Sequence, residues 1–310
     1  MTLQLVLGTR GSPLALWQAR HIAGRLREAH PDLEVEERII RTEGDTAPIR
    51  PLEAGDRGIF VKRIEQAMIA GEIDIAVHSL KDLPTRQPDG LRLAAIPRRH
   101  DPRDVLLTID GVGLDGLRPG ARVGTGSPRR RTQLLALRAD LEMVAVRGNV
   151  DTRVRRLLAG DLDGLVLALA GIERLGIDHV GRVTLDVARC LPAVGQGALA
   201  VEARCDDEAT IARVACLEHA ATRSAVEAER AFLRRLGGGC LAPASCFARL
   251  EGERIRLDAF VGDLRGQRVL RDGDGGPIDR GPQLAEGLAA RMLSAGAEAL
   301  LAAARVGDDG

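Results

Sequence analysis

The sequence predicts an α/β protein with two similar α/β lobes followed by a small C-terminal α+β domain. Strand-like apolar runs alternate with helical patterns through roughly the first two thirds of the chain. The turn GTRGSP at residues 8–13 recurs as GTGSP at residues 124–128, each after a predicted strand. The remaining residues predict three strands and a helix. A chain of 310 residues has room for about two or three such domains.

The first lobe begins with a buried strand and a well-marked helix start. Ser12 is a favourable N-cap residue, and Pro13 fits the first position of a helix. A second helix is predicted over Gly58–Ala70, where apolar residues recur at helical spacing. The predicted strands of this lobe are Leu3–Leu7, Val35–Ile40, Ile73–Val77, Leu91–Ile96 and, after a return crossover at Leu191–Gly197, Ala198–Glu202.

The second lobe has the same alternation, with helices predicted at Ser127–Arg138 and Asn149–Leu158. Its predicted strands are Val105–Leu107, Val123–Gly124, Met143–Val146 and Leu165–Ala168. In both lobes a strand-to-helix turn offers free backbone N–H groups at the positive end of a helix, which suits an anion. Simple helix capping is the alternative. Two facing lobes would place both turns around one cleft.

The C-terminal third begins with a strongly helical stretch, Asp206–Leu236, which three glycines at 237–239 bring to an end. The elements predicted after it are strands at Ala244–Arg249, Ile255–Val261 and Arg268–Leu270 and a helix at Pro282–Ala304. The predicted domains are therefore residues 1–98 with 198–217, residues 103–192, and residues 220–310.

Composition excludes several classes of protein. The net charge is +0, so the chain has no generally basic surface for nucleic acid or membranes. The N-terminus has no basic region before an apolar stretch, and no apolar run approaches the ~18 residues of a membrane helix. The 5 cysteines have neither zinc-site nor redox-motif spacing. We expect a cytoplasmic protein without a metal site.

Arginine is concentrated in one part of the chain. Ten arginines lie between Arg118 and Arg156, against three acidic residues. The planar guanidinium group suits carboxylates and phosphates. Single-strand nucleic-acid sites usually interleave aromatic residues, and this stretch has none. The pattern favours a pocket for a small polyanionic ligand, with a solvated basic face as the alternative.

A second polar cluster follows the predicted strand Ile73–Val77, in the sequence DIAVHSLKDLP. Lys81, one of only two lysines, stands beside Asp82. The ends of strands in α/β sheets are where sites are commonly built. A local ion pair at a helix start is the alternative, and His78 fits a structural histidine equally well.

The sequence GGGCLAP places Cys240 directly after three glycines. A cysteine on a loop of this kind can be a covalent attachment point. A buried, inert thiol is the alternative from this stretch alone.

Taken together, these stretches resemble the porphobilinogen deaminase family. The matching segments run in order through most of the chain: GTRGSPLALWQ from residue 8, DIAVHSLKDLP from residue 74, VGTGSPRRRTQ from residue 123, VRGNVDTR from residue 146, LAGIERLG from residue 169, LPAVGQG from residue 191, and residues 229–240. Each segment is weak alone, whereas the ordered set is very specific.

The resemblance implies three domains, the first two similar to the lobes of periplasmic binding proteins. It implies a dipyrromethane cofactor joined by a thioether to Cys240. Four porphobilinogen molecules would be added to it with loss of ammonia, and water would release hydroxymethylbilane. The chain would be a monomeric transferase of tetrapyrrole and haem biosynthesis, without nucleic-acid or membrane partners. A two-lobed anion-binding protein without catalysis is the alternative, and it would carry no covalent adduct.

The resemblance also assigns residues. Asp82 matches the catalytic carboxylate, and Phe60 matches an aromatic residue near the pyrrole site. Positions that match cofactor or substrate contacts are Arg10, Ser12, Lys81, Arg129, Arg130, Arg147, Arg153 and Arg174, with Ser127 and Gln196 as further contacts. Departures from the family pattern are Glu53 and Arg57 where lysines are usual, and Gly126 and Ala145 where serines are usual.

Overall fold

The computed structural model describes residues 3–40, 61–237, 239 and 242–306. The chain divides into two compact units. Unit 1 comprises Met1–His100 and Ala198–Arg223, and unit 2 comprises Asp101–Gly197 and Ser224–Gly310.

Unit 1 contains a five-stranded mixed sheet of β1 (Leu3–Thr9), β2 (Leu33–Ile39), β3 (Ile75–Ser79), β4 (Leu91–Ala95) and β10 (Leu199–Arg204). The strand order is β2-β1-β3-β10-β4. Strands β1, β2 and β3 are parallel, and β10 pairs antiparallel with both β3 and β4. The α-helices among the described residues of this unit are α1 (Pro13–Ala29), α2 (Lys62–Ile69) and α6 (Glu208–Val214). The predicted start of α2 lies outside the described residues.

The two faces of this sheet are covered by different helices. Helix α1 starts where predicted, with the Ser12 hydroxyl accepting a hydrogen bond from the Ala15 N–H at 3.3 Å. Its buried residues, among them Ile22 and Leu26, pack on one face against β1 and β3. Helix α2 packs on the opposite face through Ile64 and Met68. Because β3 is buried on both faces, its position is fixed from two sides.

Unit 2 contains a second five-stranded sheet of β5 (Asp104–Thr108), β6 (Arg122–Gly124), β7 (Glu142–Val144), β8 (Gly164–Ala168) and β9 (Gly181–Thr184). The strand order is β7-β6-β8-β5-β9. Strands β6, β7 and β8 are parallel, and β5 pairs antiparallel with both β8 and β9. Its helices are α3 (Pro128–Leu137), α4 (Val150–Leu158) and α5 (Leu169–Arg174). Strand β9 and helix α5 were not predicted.

The two sheets have the same strand order and directions. In each, three parallel strands are followed by an antiparallel strand that the chain forms just after leaving the other unit: β5 follows unit 1, and β10 follows unit 2. This match explains the repeated GTRGSP and GTGSP turns, which follow the equivalent strands β1 and β6. Together with the C-terminal elements, the sheets confirm the predicted fold class.

The C-terminal part of unit 2 is a three-stranded antiparallel sheet with helices on one face. Its elements are α7 (Ala220–Arg235), β11 (Ala244–Glu251), β12 (Arg254–Gly262), β13 (Val269–Pro277), α8 (Gly281–Met292) and α9 (Glu298–Val306). It has its own apolar core, centred on Phe232 of α7, Leu257 of β12 and Leu288 of α8. Gly296, with a φ of 102°, separates α8 from α9, so the predicted single helix is interrupted.

One helical stretch, Ile278–Ala304, is long and apolar enough to cross a membrane, judged by length and composition alone. The sequence predicted no apolar run that approaches the length of a membrane helix, and this stretch comes nearer to one than that prediction allows. Its apolar residues have a place inside the protein, because Ala285, Leu288 and Met292 are buried in the C-terminal core. A helix that covers the core of a water-exposed domain passes the same test, so this stretch gives little support to a membrane span.

Candidate active site

In unit 1, two of the predicted site segments lie at one edge of the sheet. Strands β1 and β3 are parallel neighbours, with Leu7 paired to Ile75 and Gly8 to Ala76. Their carboxyl ends therefore point to the same edge. Arg10 and Ser12 follow β1, while Lys81 and Asp82 follow β3, so four predicted site residues belong to adjacent turns.

The turn that carries Lys81 and Asp82 is held firmly at its base. It is a short 3₁₀ helix, Leu80–Asp82, whose first N–H donates to the Ala198 carbonyl at 3.0 Å. The buried amide of Gln18 on α1 donates to the Ser79 hydroxyl at 2.8 Å. Asp82 itself is exposed, and within the described residues its carboxylate has no hydrogen bond or ion pair. A fixed turn thus presents an uncommitted carboxylate.

In unit 2, three site segments likewise lie at one edge of the sheet. Strands β6, β7 and β8 are parallel neighbours, so their carboxyl ends also share an edge. Ser127 follows β6 and begins α3, Arg147 and Arg153 follow β7, and Arg174 ends the helix that follows β8. The topology therefore brings together most of the arginines that the resemblance assigns.

The arginine-rich stretch carries less uncompensated charge than its sequence predicts. At least seven of its ten arginines form ion pairs within the described residues. The pairs are Arg118–Asp163, Arg122–Glu142, Arg129–Asp104, Arg130–Asp104, Arg138–Asp140, Arg155–Asp151 and Arg156–Asp161. Counting charge only between residues 118 and 156 omitted three of these acids, and the inferred excess of positive charge was too high.

Arg129 and Arg130 are held by one buried carboxylate, Asp104, at the start of β5. Arg129 donates to Asp104 Oδ2 at 2.7 Å, and Arg130 donates to Oδ1 at 2.8 Å from Nη2 and 3.0 Å from Nε. Gln196 adds a third donor, its amide lying 2.8 Å from Oδ1. Burial alone would raise the pKa of Asp104, but the two guanidinium groups hold it well below its usual range. Contact of Arg129 and Arg130 with a ligand stays a prediction.

We expect Asp104→Asn to lower the free energy of unfolding by about 3 kcal/mol at neutral pH, because two buried guanidinium groups lose their counter-charge. Since the pKa of Asp104 is lowered in the folded state, its contribution exists above about pH 4 and is lost as the pH falls below that. Urea unfolding measures the difference. Asp151→Asn, which breaks the exposed pair with Arg155, is the matched control and should change stability by under ~0.5 kcal/mol. Equal effects of the two variants would contradict the assignment.

The other predicted ligand-binding residues of unit 2 differ in how they are held. Arg147 is half-buried and forms no hydrogen bond or ion pair among the described residues. Arg153 donates through Nε to the Gly148 carbonyl at 2.8 Å. Arg174 is buried and donates to the Gly197 carbonyl at 2.7 Å, and burial lowers its pKa to about 10. Arg147 is therefore the guanidinium most available to an added carboxylate.

The two serines in the repeated turns act as helix caps in this structure. Ser127 Oγ accepts a hydrogen bond from the Arg130 N–H at 3.4 Å. Ser12 Oγ accepts the equivalent bond from the Ala15 N–H in unit 1. Their contact with a ligand stays a prediction. Gly126, where a serine is usual, lies close to the next turn, since a Cβ there would be 2.7 Å from the Val146 carbonyl oxygen. The backbone at this turn thus has no space for a side chain.

Phe60 and Cys240 lie outside the described residues, as do Glu53 and Arg57. The helix that leads towards Cys240 is nevertheless well anchored. Buried Glu229 on α7 accepts hydrogen bonds from the Gly195 N–H at 2.7 Å and from the Ala248 N–H at 3.0 Å. It thereby ties α7 both to the segment at residues 191–197 and to β11.

Sequence reasoning missed two residues that support the site. Asp104 could have been identified from the sequence, because an acid at the start of the apolar strand DVLLT needs a buried positive partner. Gln18 carries no such signal, since a glutamine in a helix is usually exposed and its burial here is visible only in the structure. Its role depends on the packing of α1 against β3.

Matches to known proteins cover most of the chain. Residues 5–212 match the family described as "Porphobilinogen deaminase, dipyromethane cofactor binding domain", and residues 224–294 match "Porphobilinogen deaminase, C-terminal domain". The porphobilinogen deaminase of Syntrophus aciditrophicus is 47% identical over 296 residues, covering 95% of this chain and 97% of the relative. That of Desulforudis audaxviator is 46% identical, covering 99% of this chain and 100% of the relative.

Solved structures resemble the chain more distantly. The effector-binding domain of BenM with benzoate has a TM-score of 0.41 and 14% identity, covering 68% of this chain and 88% of that one. A probable amino-acid transporter extracellular-binding protein from Bacillus subtilis has a TM-score of 0.42 and 9% identity, covering 69% and 90%.

Proposed function

This chain belongs to the porphobilinogen deaminase family, and we propose that it condenses four porphobilinogen molecules, with loss of ammonia, onto a dipyrromethane held by Cys240. Hydrolysis then releases hydroxymethylbilane for tetrapyrrole and haem biosynthesis. The observation that carries the proposal is the exposed Asp82 carboxylate, uncommitted within the described residues and fixed at the sheet edge beside Lys81.

Asp82 is proposed to stabilise the positive charge that develops on the pyrrole nitrogen of the incoming substrate as ammonia leaves. A carboxylate that is already in place avoids the reorganisation that water would need. The hydrogen bonds of Leu80 and Ser79 support this role, because they fix the turn before substrate binds. Asp82 thus acts through its charge and its position.

The residues of unit 2 fit a dipyrromethane, whose two rings carry four carboxylates. The half-buried Arg147 offers a guanidinium without an internal hydrogen-bond partner among the described residues. Arg153 and the N-terminal turn of α3 lie at the same sheet edge. We propose that Arg147, Arg153 and Ser127 hold carboxylates of the group, with Cys240 as its attachment point. When bound, the dipyrromethane supplies the nucleophilic pyrrole carbon that accepts substrate.

We expect Arg147→Leu to raise the KM for porphobilinogen about tenfold or to block attachment of the primer, because one charged hydrogen bond to a carboxylate is lost. Steady-state kinetics and intact mass distinguish these two results. Arg155→Leu removes an exposed arginine from the same stretch and should behave as the wild type. Wild-type kinetics and a wild-type mass in Arg147→Leu would overturn its assignment to the carboxylate site.

The direct test of the function is incubation of the purified chain with porphobilinogen. We expect release of ammonia and formation of hydroxymethylbilane, with four substrate molecules consumed for each tetrapyrrole. Reversible binding of porphobilinogen without release of ammonia would instead support a non-catalytic anion-binding protein.

We also propose that the chain acts as a monomer in the cytoplasm, without a nucleic-acid or membrane partner. The net charge of +0 supports this proposal, because a neutral chain has no general attraction for polyanions. Sedimentation of the purified protein and its distribution after cell fractionation test it. A stable dimer or a membrane-bound fraction would contradict it.

A further inference from the structure

A buried cluster of three ionisable side chains lies around the end of β3 in unit 1, just before the Leu80–Asp82 turn. Glu65 of α2, His78 of β3 and Glu202 of β10 are 9%, 6% and 0% exposed. His78 Nε2 and Glu202 Oε2 are 3.5 Å apart, an ion-pair distance that is long for a hydrogen bond. Glu65 Oε1, His78 Nε2 and both carboxylate oxygens of Glu202 have no hydrogen-bond partner among the described residues. The proposed chemistry uses none of these groups.

Two carboxylates buried together are costly unless one of them binds a proton. Burial raises the pKa of Glu65, the negative charge of Glu202 raises it further, and His78 lowers it. Glu65 is therefore the carboxyl that keeps its proton above the ordinary range. A raised pKa in the folded state means that protonated Glu65 is favoured at low pH, and that this stabilisation is lost as the pH rises.

Among the described residues, neighbouring charges do not compensate the cluster. Arg204 lies on the same face of β10 as Glu202, but it is bound by the carboxylates of Asp74 at 3.1 Å and Asp207 at 2.9 Å. Strand β1 carries no charged residue. The remaining charged side chains on the packed helix and strands are exposed: Lys62 and Arg63 on α2 and Arg92 on β4.

The cluster lies on the face of β3 opposite to α1. His78 shares its face with Ala76, which packs against α2, whereas Ser79 on the other face is bonded to Gln18. Strand β3 runs directly into the Leu80–Asp82 turn. The end of this strand is thus supported by a hydrogen bond on one face and by the ionisable cluster on the other.

We propose that Glu65, His78 and Glu202 are positioning residues that fix the Lys81–Asp82 turn for catalysis while the cluster holds a proton. Loss of that proton leaves a second buried negative charge, which loosens the end of β3. The proposal rests on the proposed role of Asp82. It predicts that kcat falls at alkaline pH by more than KM rises, because the carboxylate-binding arginines of unit 2 are untouched and, of the predicted binding residues, only Lys81 lies on the turn.

The test is the pH profile of kcat for the enzyme loaded with its primer. We expect wild-type kcat to fall about tenfold as the cluster loses its proton. Glu65→Gln and Glu202→Gln each remove one of the two negative charges and should flatten this fall. Glu72→Gln, an exposed substitution near the end of α2, should keep the wild-type profile. A fall of wild-type size in both cluster variants, or a loss of kcat that is equal at every pH, would overturn the proposal.

A second measurement uses the wild-type protein and so does not depend on how the variants fold. A protonated carboxyl group has its own infrared carbonyl band. We expect this band to persist above the ordinary pH range for glutamate and to disappear over the pH range in which kcat falls. Absence of the band from the wild type would overturn the proposal.

The proposed roles of the cluster and of Asp82 fail separately. Full activity of Asp82→Asn would contradict the proposed role of Asp82. It would also contradict the positioning role of the cluster, even if the infrared band titrates as expected. An inactive Asp82→Asn variant together with wild-type pH profiles in Glu65→Gln and Glu202→Gln would contradict only the proposed role of the cluster.

Discussion

Asp82→Asn is expected to lower kcat by about 10²–10³-fold, while the protein folds and retains some covalent primer. Loss of a single preorganised electrostatic group commonly costs about 3–4 kcal/mol in the transition state. Asparagine has nearly the same shape as aspartate but no charge, so it cannot stabilise a cation on the substrate pyrrole. Steady-state release of hydroxymethylbilane gives the change in rate, and intact mass gives the primer content.

The control for this variant is Asp89→Asn, another exposed carboxylate in the segment between β3 and β4. It removes the same charge without touching the 3₁₀ turn, and it should keep wild-type turnover. Elongation at the normal rate in Asp82→Asn would contradict the catalytic role of Asp82, whatever the turnover of Asp89→Asn.

The strands of the two lobes could be predicted because they are short, apolar and flanked by strong turn signals. The predicted strand Leu91–Ile96 became Leu91–Ala95, and Leu165–Ala168 became Gly164–Ala168. Strand β8 lies in the middle of its sheet and β4 lies at an edge, but both bury apolar residues against the helices, so local preference and burial agree. The helix starts at Ser12 and Ser127 were equally predictable, because each is an N-cap residue followed by proline.

The edge strand β13 was harder to predict. The third C-terminal strand was predicted over Arg268–Leu270, but β13 extends over Val269–Pro277 with the sequence VLRDGDGGP. Aspartate, glycine and proline disfavour strands, yet β13 pairs with β12 along its whole length. A Cβ at Gly273 would lie 3.0 Å from the Leu257 carbonyl oxygen, so glycine permits this close approach. Such a reason exists only in the folded protein.

The stretch Asp206–Leu236 was predicted to be strongly helical, and the structure divides it into two helices, α6 and α7. Glu218 lies between them, where its carboxylate accepts a hydrogen bond from the Ile96 N–H at 2.8 Å and pairs with Arg223 at 2.6 Å. His219 then accepts from the Thr222 N–H at the start of α7. Helix propensity was correctly inferred, and contacts with the end of β4 override it locally.

The site was predictable in its segments but not in its pairings. The turns after β1, β3, β6 and β7 are conspicuous in sequence, and parallel neighbours bring their ends to shared edges. The partner of Arg129 and Arg130, by contrast, comes from β5, 25 and 26 residues earlier in the chain. Likewise, Glu65 meets His78 and Glu202 only because α2 packs over β3 and β10. Pairings of this kind depend on tertiary structure, which residue spacing does not encode.

Cys240→Ser is expected to abolish the covalent adduct and, with it, all synthesis of hydroxymethylbilane. A thioether requires a sulfur nucleophile, and the primer cannot be retained through elongation without a covalent bond. Intact mass after denaturation should show two pyrrole units on the wild-type chain and none on the variant. An active wild-type enzyme with the mass of its bare polypeptide would contradict the proposal.

The other four cysteines give the controls for this experiment. Cys190 and Cys246 are buried, and burial raises the pKa of both thiols, that of Cys190 to about 12, so neither readily forms a thiolate. Cys205 and Cys216 are exposed and are the thiols that could compete for attachment. Cys205→Ser and Cys216→Ser should therefore each keep the adduct and full activity. An adduct that survives in Cys240→Ser but is lost in one of these two would move the attachment point to that thiol.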